Sequence, residues 1–243
     1  MMIVSLKNLR KSHNWIKNYL LNKYASNVNN LLDLAVGKGG DISKWNKNDI
    51  KHVTGYDIND VSIAEAKRRV KILKPKTKIK LHVLDLSNCI VKSVKPNFDV
   101  ITCMFAFHYF FRTKQTFETI LKTINKNLKV GGYFIGCFFD GVTVENKLKN
   151  NFINKNIFNI IPLKKGNGNF GNEIAVYLKN TVLDEPTVEY LVNFDFFTNE
   201  MIKNGYVLIE TKMFEEIDNK IKLSLLEKNI SYLNRYFVFQ RIF

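Results

Sequence analysis

Cysteine is scarce in this chain of 243 residues: there are only Cys89, Cys103 and Cys137. No two of them form a C-x-x-C pair, so neither a disulfide framework nor a cysteine zinc site is legible. The four histidines are scattered and supply no ligand cluster. Cys103 and Cys137 fall within apolar runs and are expected to be buried, reduced thiols. Only four prolines occur, with no linker and no internal repeat, so one domain with a small insertion is expected. Long hydrophobic runs are missing too. The longest, Val100 to Phe111, is broken by Thr102 and His108 and is too short for a bilayer. Residues 1–12 hold no apolar core of a secretory signal. An intracellular protein with no membrane partner is therefore expected. Acidic residues are few: 22 against 37 Lys and Arg, for a net charge of +15. A polyanion such as RNA would suit that balance. The same lysine excess accompanies the Asn- and Ile-rich composition of A+T-rich coding regions, so charge alone names no partner.

What is present is a regular alternation. Trp15, Ile16, Tyr19, Leu20 and Tyr24 recur at helical spacing and predict a helix over Ser12 to Ala25. The alternative for Trp15 is a plain core residue. Asn30–Val36 predicts a buried strand running into glycines, and Asp41 starts a short helix. His52–Tyr56 is a second strand, followed by a helix capped by Asp60 with Val61, Ala64, Val70 and Leu73 inward. Ile79–Leu84 and Asp99–Phe105 are the third and fourth strands. A helix through Phe117, Ile120, Leu121, Ile124 and Leu128 ends near Gly131, and Tyr133–Phe139 is the fifth strand. Such alternation predicts βαβ units and a parallel sheet. Beyond Asp140 the pattern loosens. Ile157–Leu163 and Glu173–Leu178 can form a hairpin, Phe196–Asn204 a helix, Tyr206–Thr211 an extended segment and Tyr236–Phe243 a terminal strand.

Ligands of doubly wound sheets lie beyond the carboxyl ends of the strands. Three successive strands here end in or near a carboxylate: Asp33, Asp57 and Asp85. Asp33 leads into Gly37-Lys38-Gly39-Gly40, where glycines let a backbone approach a ligand closely. Alone, that loop is equally an ordinary turn. Asp57 is placed to accept from both hydroxyls of a ribose, and Asp85 from an adenine amino group. The G-x-G-x-x-G of nicotinamide enzymes is absent, and no Ser or Thr follows Lys38 as a Walker loop needs. Cys103-Met104-Phe105-Ala106-Phe107-His108-Tyr109 follows the fourth strand. His108 and Tyr109 are candidates for holding a flat base, or else a buried aromatic strand end. His13 to Lys17 opens the first helix, either as a site or as a solvated helix end. Lys67, Arg68, Arg69, Lys71, Lys74, Lys76, Lys78 and Lys80 form a basic run. Most of it is expected to be solvated, with one or two members free to meet phosphates.

In combination these pieces resemble the eukaryotic and viral mRNA cap guanine-N7 methyltransferases. The motifs are Asn14-Trp15-Ile16-Lys17, Asp33 to Trp45, Asp57, and Cys103 to Tyr109. Further matches are Gly131 to Gly136, Phe170 to Ile174, Glu189 to Val192, and Tyr236-Phe237-Val238-Phe239. The resemblance spans nearly the whole chain in order, and its flavour is that of a large DNA virus. It implies a Rossmann-like α/β fold, doubly wound, with a mostly parallel seven-stranded sheet and an inserted hairpin. By the same resemblance residues 1–243 would form one S-adenosylmethionine-dependent domain, with a helical segment over 1–28 and a cap-site insertion over 140–195.

The implied activity is methyl transfer from S-adenosylmethionine to N7 of a GpppN cap, with S-adenosylhomocysteine as product and no metal. The implied cofactor site is Lys17, Asp33, Ala35, Gly37, Asp57, Ile58, Asp85, Leu86, Met104 and Tyr109. The implied cap site is Asn14, Lys38, Lys44, Arg69, His108, Glu189 and Tyr236. Tyr109, Glu189 and His108 would position the guanine, with no general base. The implied partner is capped RNA, and the resemblance leaves room for other capping-enzyme domains or an activating subunit. Localisation would be cytoplasmic for a virus and nuclear for a cell. Ala35 and Val36 replace Gly-Cys of the family, Met104 replaces Gln, and Val188 replaces a common Pro before Glu189. A silent RNA-binding or stimulatory subunit, or another RNA methyltransferase, is the alternative.

Overall fold

The computed structural model describes residues 6–91, 94, 96–149, 157–179 and 185–243. Its first half alternates helix and strand: α1 (Lys7–Ala25), β1 (Asn30–Asp33), α2 (Ile42–Lys47), β2 (His52–Asp57), α3 (Asp60–Leu73), β3 (Lys78–Val83) and β4 (Phe98–Met104). A 3-10 turn over Phe107–Phe111 leads to α4 (Lys114–Asn127), β5 (Leu128–Phe139) and α5 (Gly141–Lys149). Three short strands follow, β6 (Phe158–Lys164), β7 (Glu173–Leu178) and β8 (Thr187–Tyr190). Then come α6 (Phe194–Lys203), β9 (Tyr206–Met213), α7 (Leu225–Ser231) and β10 (Asn234–Arg241).

The main sheet has seven strands in the order β3-β2-β1-β4-β5-β10-β9. β1 to β5 pair in parallel, and β10 runs antiparallel to both β5 and β9. The winding direction reverses between β1 and β4, which opens a crevice at their carboxyl ends. One face packs Leu32, Ile101, Phe134 and Phe237 against α4 and α6. The other packs Leu31, Val53, Val100 and Ile135 against α1, α2 and α3. Strand alternation divides the two cores: consecutive residues such as Leu31 and Leu32 point to opposite faces. The second sheet, β6-β7-β8, is antiparallel and forms the expected insertion, with one strand more than a hairpin. Cys103 and Cys137 are buried and free, as expected. Among the described residues no helix is long and apolar enough to cross a membrane.

Several local expectations are corrected. α1 starts at Lys7 rather than Ser12 and buries Leu9, Ser12, Ile16, Leu20 and Leu21. Trp15 stays 38% exposed, stacked on Tyr19 at 5.6 Å. The cap of α3 is Asn59, whose side chain accepts from the Ser62 N–H; Asp60 is the first helical residue. Its buried residues are Ile63 and Ala66, with Val70 packed against the same core as expected, while Val61 is 68% exposed. Gly131 does not end α4, whose cap is Leu128. It lies within β5 at φ +81, near a register shift in the β4–β5 pairing.

Candidate active site

The loop after β1 is shaped by its own polar groups. Buried Asp33 accepts from the Ala35 N–H at 3.0 Å and from the Thr102 hydroxyl at 3.1 Å. Burial, then the nearby Asp41, raises Asp33 to about 7. Gly37 sits at φ +54 with open space where a Cβ would stand, and its N–H donates to Asp57 Oδ2 at 2.7 Å. Asp57 thus ties the turn after β1 to the tip of β2, with Oδ1 taking the Asn59 N–H at 2.9 Å. Asp41 holds the loop from behind. Burial alone would raise its carboxyl, but Lys17 and Lys44, each 2.7 Å away, hold it below the usual value.

The 3-10 turn after β4 sorts its side chains by face. Phe107, Phe110 and Phe111 enter the α4–α6 core; Phe107 and Phe110, three apart, share one face of such a turn. His108 and Tyr109 are left on the opposite side, with ring centroids 4.2 Å apart. Just before the turn, Phe105 adopts φ +59, a conformation L residues other than Asn and Asp rarely take. Its ring stacks on His13 at 5.0 Å.

Two clefts open from this construction. The first, of about 700 Å³, lies over the strand tips and is lined by Ala35, Asp57, Ile58, Asp85, Leu86 and Tyr109, with Arg112, Val188 and Tyr190 opposite. The second, of about 510 Å³, is lined by Arg10, His13, Lys38, Phe105, His108, Tyr109, Glu189 and Asn234 with an apolar wall including Phe138, Phe139 and Ile230. Both are of a size that takes a small molecule. Tyr109 belongs to both. β8 separates them by simple alternation: Val188 and Tyr190 face the first and Glu189 the second.

His108 and Glu189 are 3% and 4% exposed, with Nε2 and Oε2 3.5 Å apart. Burial lowers the imidazole to about 3 and raises the carboxyl to about 8. Among the described residues neither ring nitrogen of His108 has a hydrogen-bond partner, so a polar atom is wanted there. Burial, then Glu189 and Asp57, pushes the Tyr109 hydroxyl well above its ordinary value.

The structure brings Ala35, Asp57, Ile58, Asp85, Leu86 and Tyr109 into the first cleft, and Lys38, His108 and Glu189 into the second. Asp33, Gly37 and Lys17 shape the adjoining loop without lining either. Met104 turns away, its Sδ 3.9 Å from Cys137 Sγ. Asn14 is exposed beside neither cleft. Lys44 is paired with Asp41, and Arg69 with Glu65 at 2.7 Å. Tyr236 needs correction. It is buried under α1, its hydroxyl donating to Glu210 at 2.7 Å, and Asn234, two residues earlier on β10, borders the cleft instead. Arg10, Phe105, Arg112 and Tyr190 were not singled out from sequence. Phe105 and Tyr190 lie inside the Cys103–Tyr109 and Glu189–Val192 motifs without a role assigned to them, and Arg112 carries a signal only by following the Phe107–Phe111 run.

The fold is that of S-adenosylmethionine-dependent methyltransferases. It matches one from Mesorhizobium loti with a TM-score of 0.65 at 16% identity, covering 96% of this chain and 100% of that one. It also matches the glycopeptide N-methyltransferase MtfA, solved with S-adenosylmethionine, with a TM-score of 0.61 at 11% identity, covering 95% and 93%. Residues 2–235 match the model of the mRNA (guanine-N(7))-methyltransferase domain, and the chain belongs to that family. The mRNA cap guanine-N(7) methyltransferase of Schizosaccharomyces pombe is 30% identical over 235 residues, covering 89% of this chain. A mimivirus protein named as a probable mRNA-capping enzyme is 27% identical over 259 residues, covering 88% of this chain. The chain spans 64% of the first of these relatives and 22% of the second.

Proposed function

We propose that this chain transfers the methyl group of S-adenosylmethionine to N7 of the guanine in a GpppN cap. The observation that carries the reading is the meeting of the two clefts at Tyr109, one ending in the strand-tip carboxylates and the other in His108 and Glu189. The first cleft suits the donor: Asp57 would accept from ribose hydroxyls, Asp85 from the adenine amino group, and Leu86 and Ile58 would flank the ring. When bound, S-adenosylmethionine supplies a methyl already activated on a sulfonium.

The chain's own residues then have a limited task. Guanine N7 carries its lone pair unprotonated at neutral pH, so no side chain needs to remove a proton. Tyr109 and His108 hold the ring in line with the donor cleft, which lowers the barrier through orientation. Ionised Glu189 accepts from guanine N1–H and N2–H and stabilises the positive charge that develops on the ring. Lys38 meets the triphosphate, away from the reacting atoms, and serves binding more than turnover. Lys17, Lys44 and Arg69 would reach a ligand only by loosening the ion pairs they now make.

The reading places the chain inside a cell. The likeness to a longer viral protein supports its acting beside other capping domains. The test is methyl transfer by the isolated chain to GpppA, GTP and uncapped RNA. Transfer to GpppA alone is expected. Labelling of uncapped RNA would point to another RNA methyltransferase, and failure to bind S-adenosylmethionine would point to a silent subunit.

A further inference from the structure

Lys78 and Lys80 line neither cleft. They lie on β3, an edge of the main sheet. On β2 and β3 the odd-numbered Val53, Ile79 and Leu81 pack into the core under α3. The even-numbered residues therefore share the other face, paired across the strands as His52 with Lys78, Thr54 with Lys80, and Tyr56 with His82. α3 is the helix packed on these strands, and the connection from β3 to β4 has no helix in its described residues. A doubly wound sheet ordinarily covers such a face with a crossover helix. Here His52, Lys78, Lys80 and His82 are exposed. The His82 ring stacks on Tyr56 at 5.3 Å and 27°. Among the described residues no ion pair involves Lys78 or Lys80. The carboxylates at the strand tips are engaged: Asp57 by the Gly37 and Asn59 N–H groups, and Asp85 by the Ser87 N–H and the Asn88 amide.

We propose that this uncovered face of β2 and β3 binds the single-stranded RNA that follows the cap. The inference rests on the cap reading for the identity of that RNA, but not for the binding itself. Cations on a sheet face meet a phosphate backbone, and rings beside them offer planes on which bases stack; here exposed His52 lies beside Lys78, and exposed His82, stacked on partly buried Tyr56, follows Lys80. Tyr56 directly precedes Asp57, which lines the first cleft. The face thus begins at the active-site edge of the sheet. From His82 to Lys78 it runs back along β3 for about 13 Å. Charge favours this occupant, because the paired face positions are two lysines, two histidines, a threonine and a tyrosine, none of them acidic, and the chain carries +15 overall.

The test compares wild type with K78E/K80E. Fluorescence anisotropy measures affinity for a short uncapped single-stranded RNA at several salt concentrations. Methyl-transfer assays give KM for the capped RNA and for GpppA. The double variant should bind RNA about tenfold more weakly, with a log–log salt slope reduced by about 1.4. KM for capped RNA should rise in step, while GpppA kinetics stay unchanged. The milder K78A/K80A should shift the same way, and equal melting temperatures would exclude misfolding. Unchanged RNA affinity in both variants would overturn the proposal, whether or not an acidic protein docks there. If RNA binding depends on Lys78 and Lys80 but GpppA is not methylated, the cap reading falls and this one stands.

Discussion

Nε2 of His108 lies 3.5 Å from Oε2 of Glu189, deep in the second cleft. Both groups resist charge in the same place, the imidazole at about 3 and the carboxyl at about 8, each because of burial. At neutral pH the pair is thus an uncharged contact between two hydrogen-bonding groups, not an ion pair. A guanine edge offers N–H donors that would draw Glu189 into its ionised form.

Glu189→Gln keeps the shape of the side chain and removes the carboxylate. Turnover on GpppA should fall about a hundredfold, the scale on which one electrostatic contact to a transition state acts. The melting temperature should hold or rise, since an ionisable group leaves a buried position. Unchanged turnover would remove Glu189 from the site.

The pH dependence follows with its sign. Only ionised Glu189 accepts both guanine N–H groups, and in the free protein it ionises as pH climbs through about 8. kcat/KM for GpppA should therefore rise about tenfold per pH unit below that value and level off above it. His108 stays neutral throughout, being lowered to about 3. Asp33, at about 7, also titrates nearby, so the control is Glu189→Gln, whose profile should lose the upper rise. A rise that persists in that variant would assign it elsewhere.

Asp57→Asn should raise KM for S-adenosylmethionine about tenfold, the loss of a charge-assisted hydrogen bond. KM for GpppA should change little. A change confined to the cap would contradict the ribose role given to Asp57.

Lys38 is exposed and borders the second cleft. Lys38→Ala should raise KM for GpppA while kcat holds, and more so at low salt, where exposed charges are least screened. A salt-independent fall in kcat would place Lys38 at the chemistry.

Gly39→Ala should destabilise the fold. Gly39 has φ +74, and a Cβ there would stand 2.6 Å from Ile42 Cδ1 and 3.1 Å from Ala66 Cβ. The backbone alone costs about 1–2 kcal/mol, and each kcal/mol lowers Tm by roughly 2–4 °C in a domain of this size. An unchanged Tm would show that the loop relaxes freely.

The first half of the fold was legible because its signals are local. Apolar runs ending in Asp33, Asp57 and Asp85 mark strand tips without knowledge of neighbours, and those tips then line or brace one cleft. His108 and Tyr109 were legible from their place after the fourth strand together with the family motif, whereas the 3-10 turn that buries Phe107, Phe110 and Phe111 beside them was not. What failed depends on distant partners. Helical spacing allows either Val61 and Ala64 or Ile63 and Ala66 to face inward, and the choice rests on Val53 and Leu81 across the sheet. Tyr236 was misplaced because its hydroxyl goes to Glu210, which no nearby pattern announces. The two-sided role of β8 was hidden because that strand is only four residues long.

The central claim is that the two clefts hold donor and guanine end to end. A crystal structure of the chain with S-adenosylhomocysteine and GpppA tests it most directly. The account predicts the product's ribose on Asp57, the guanine edge on Glu189, and N7 aimed past Tyr109 at the sulfur. Guanine bound outside the His108–Glu189 cleft, or with N7 turned from the sulfur, would contradict it.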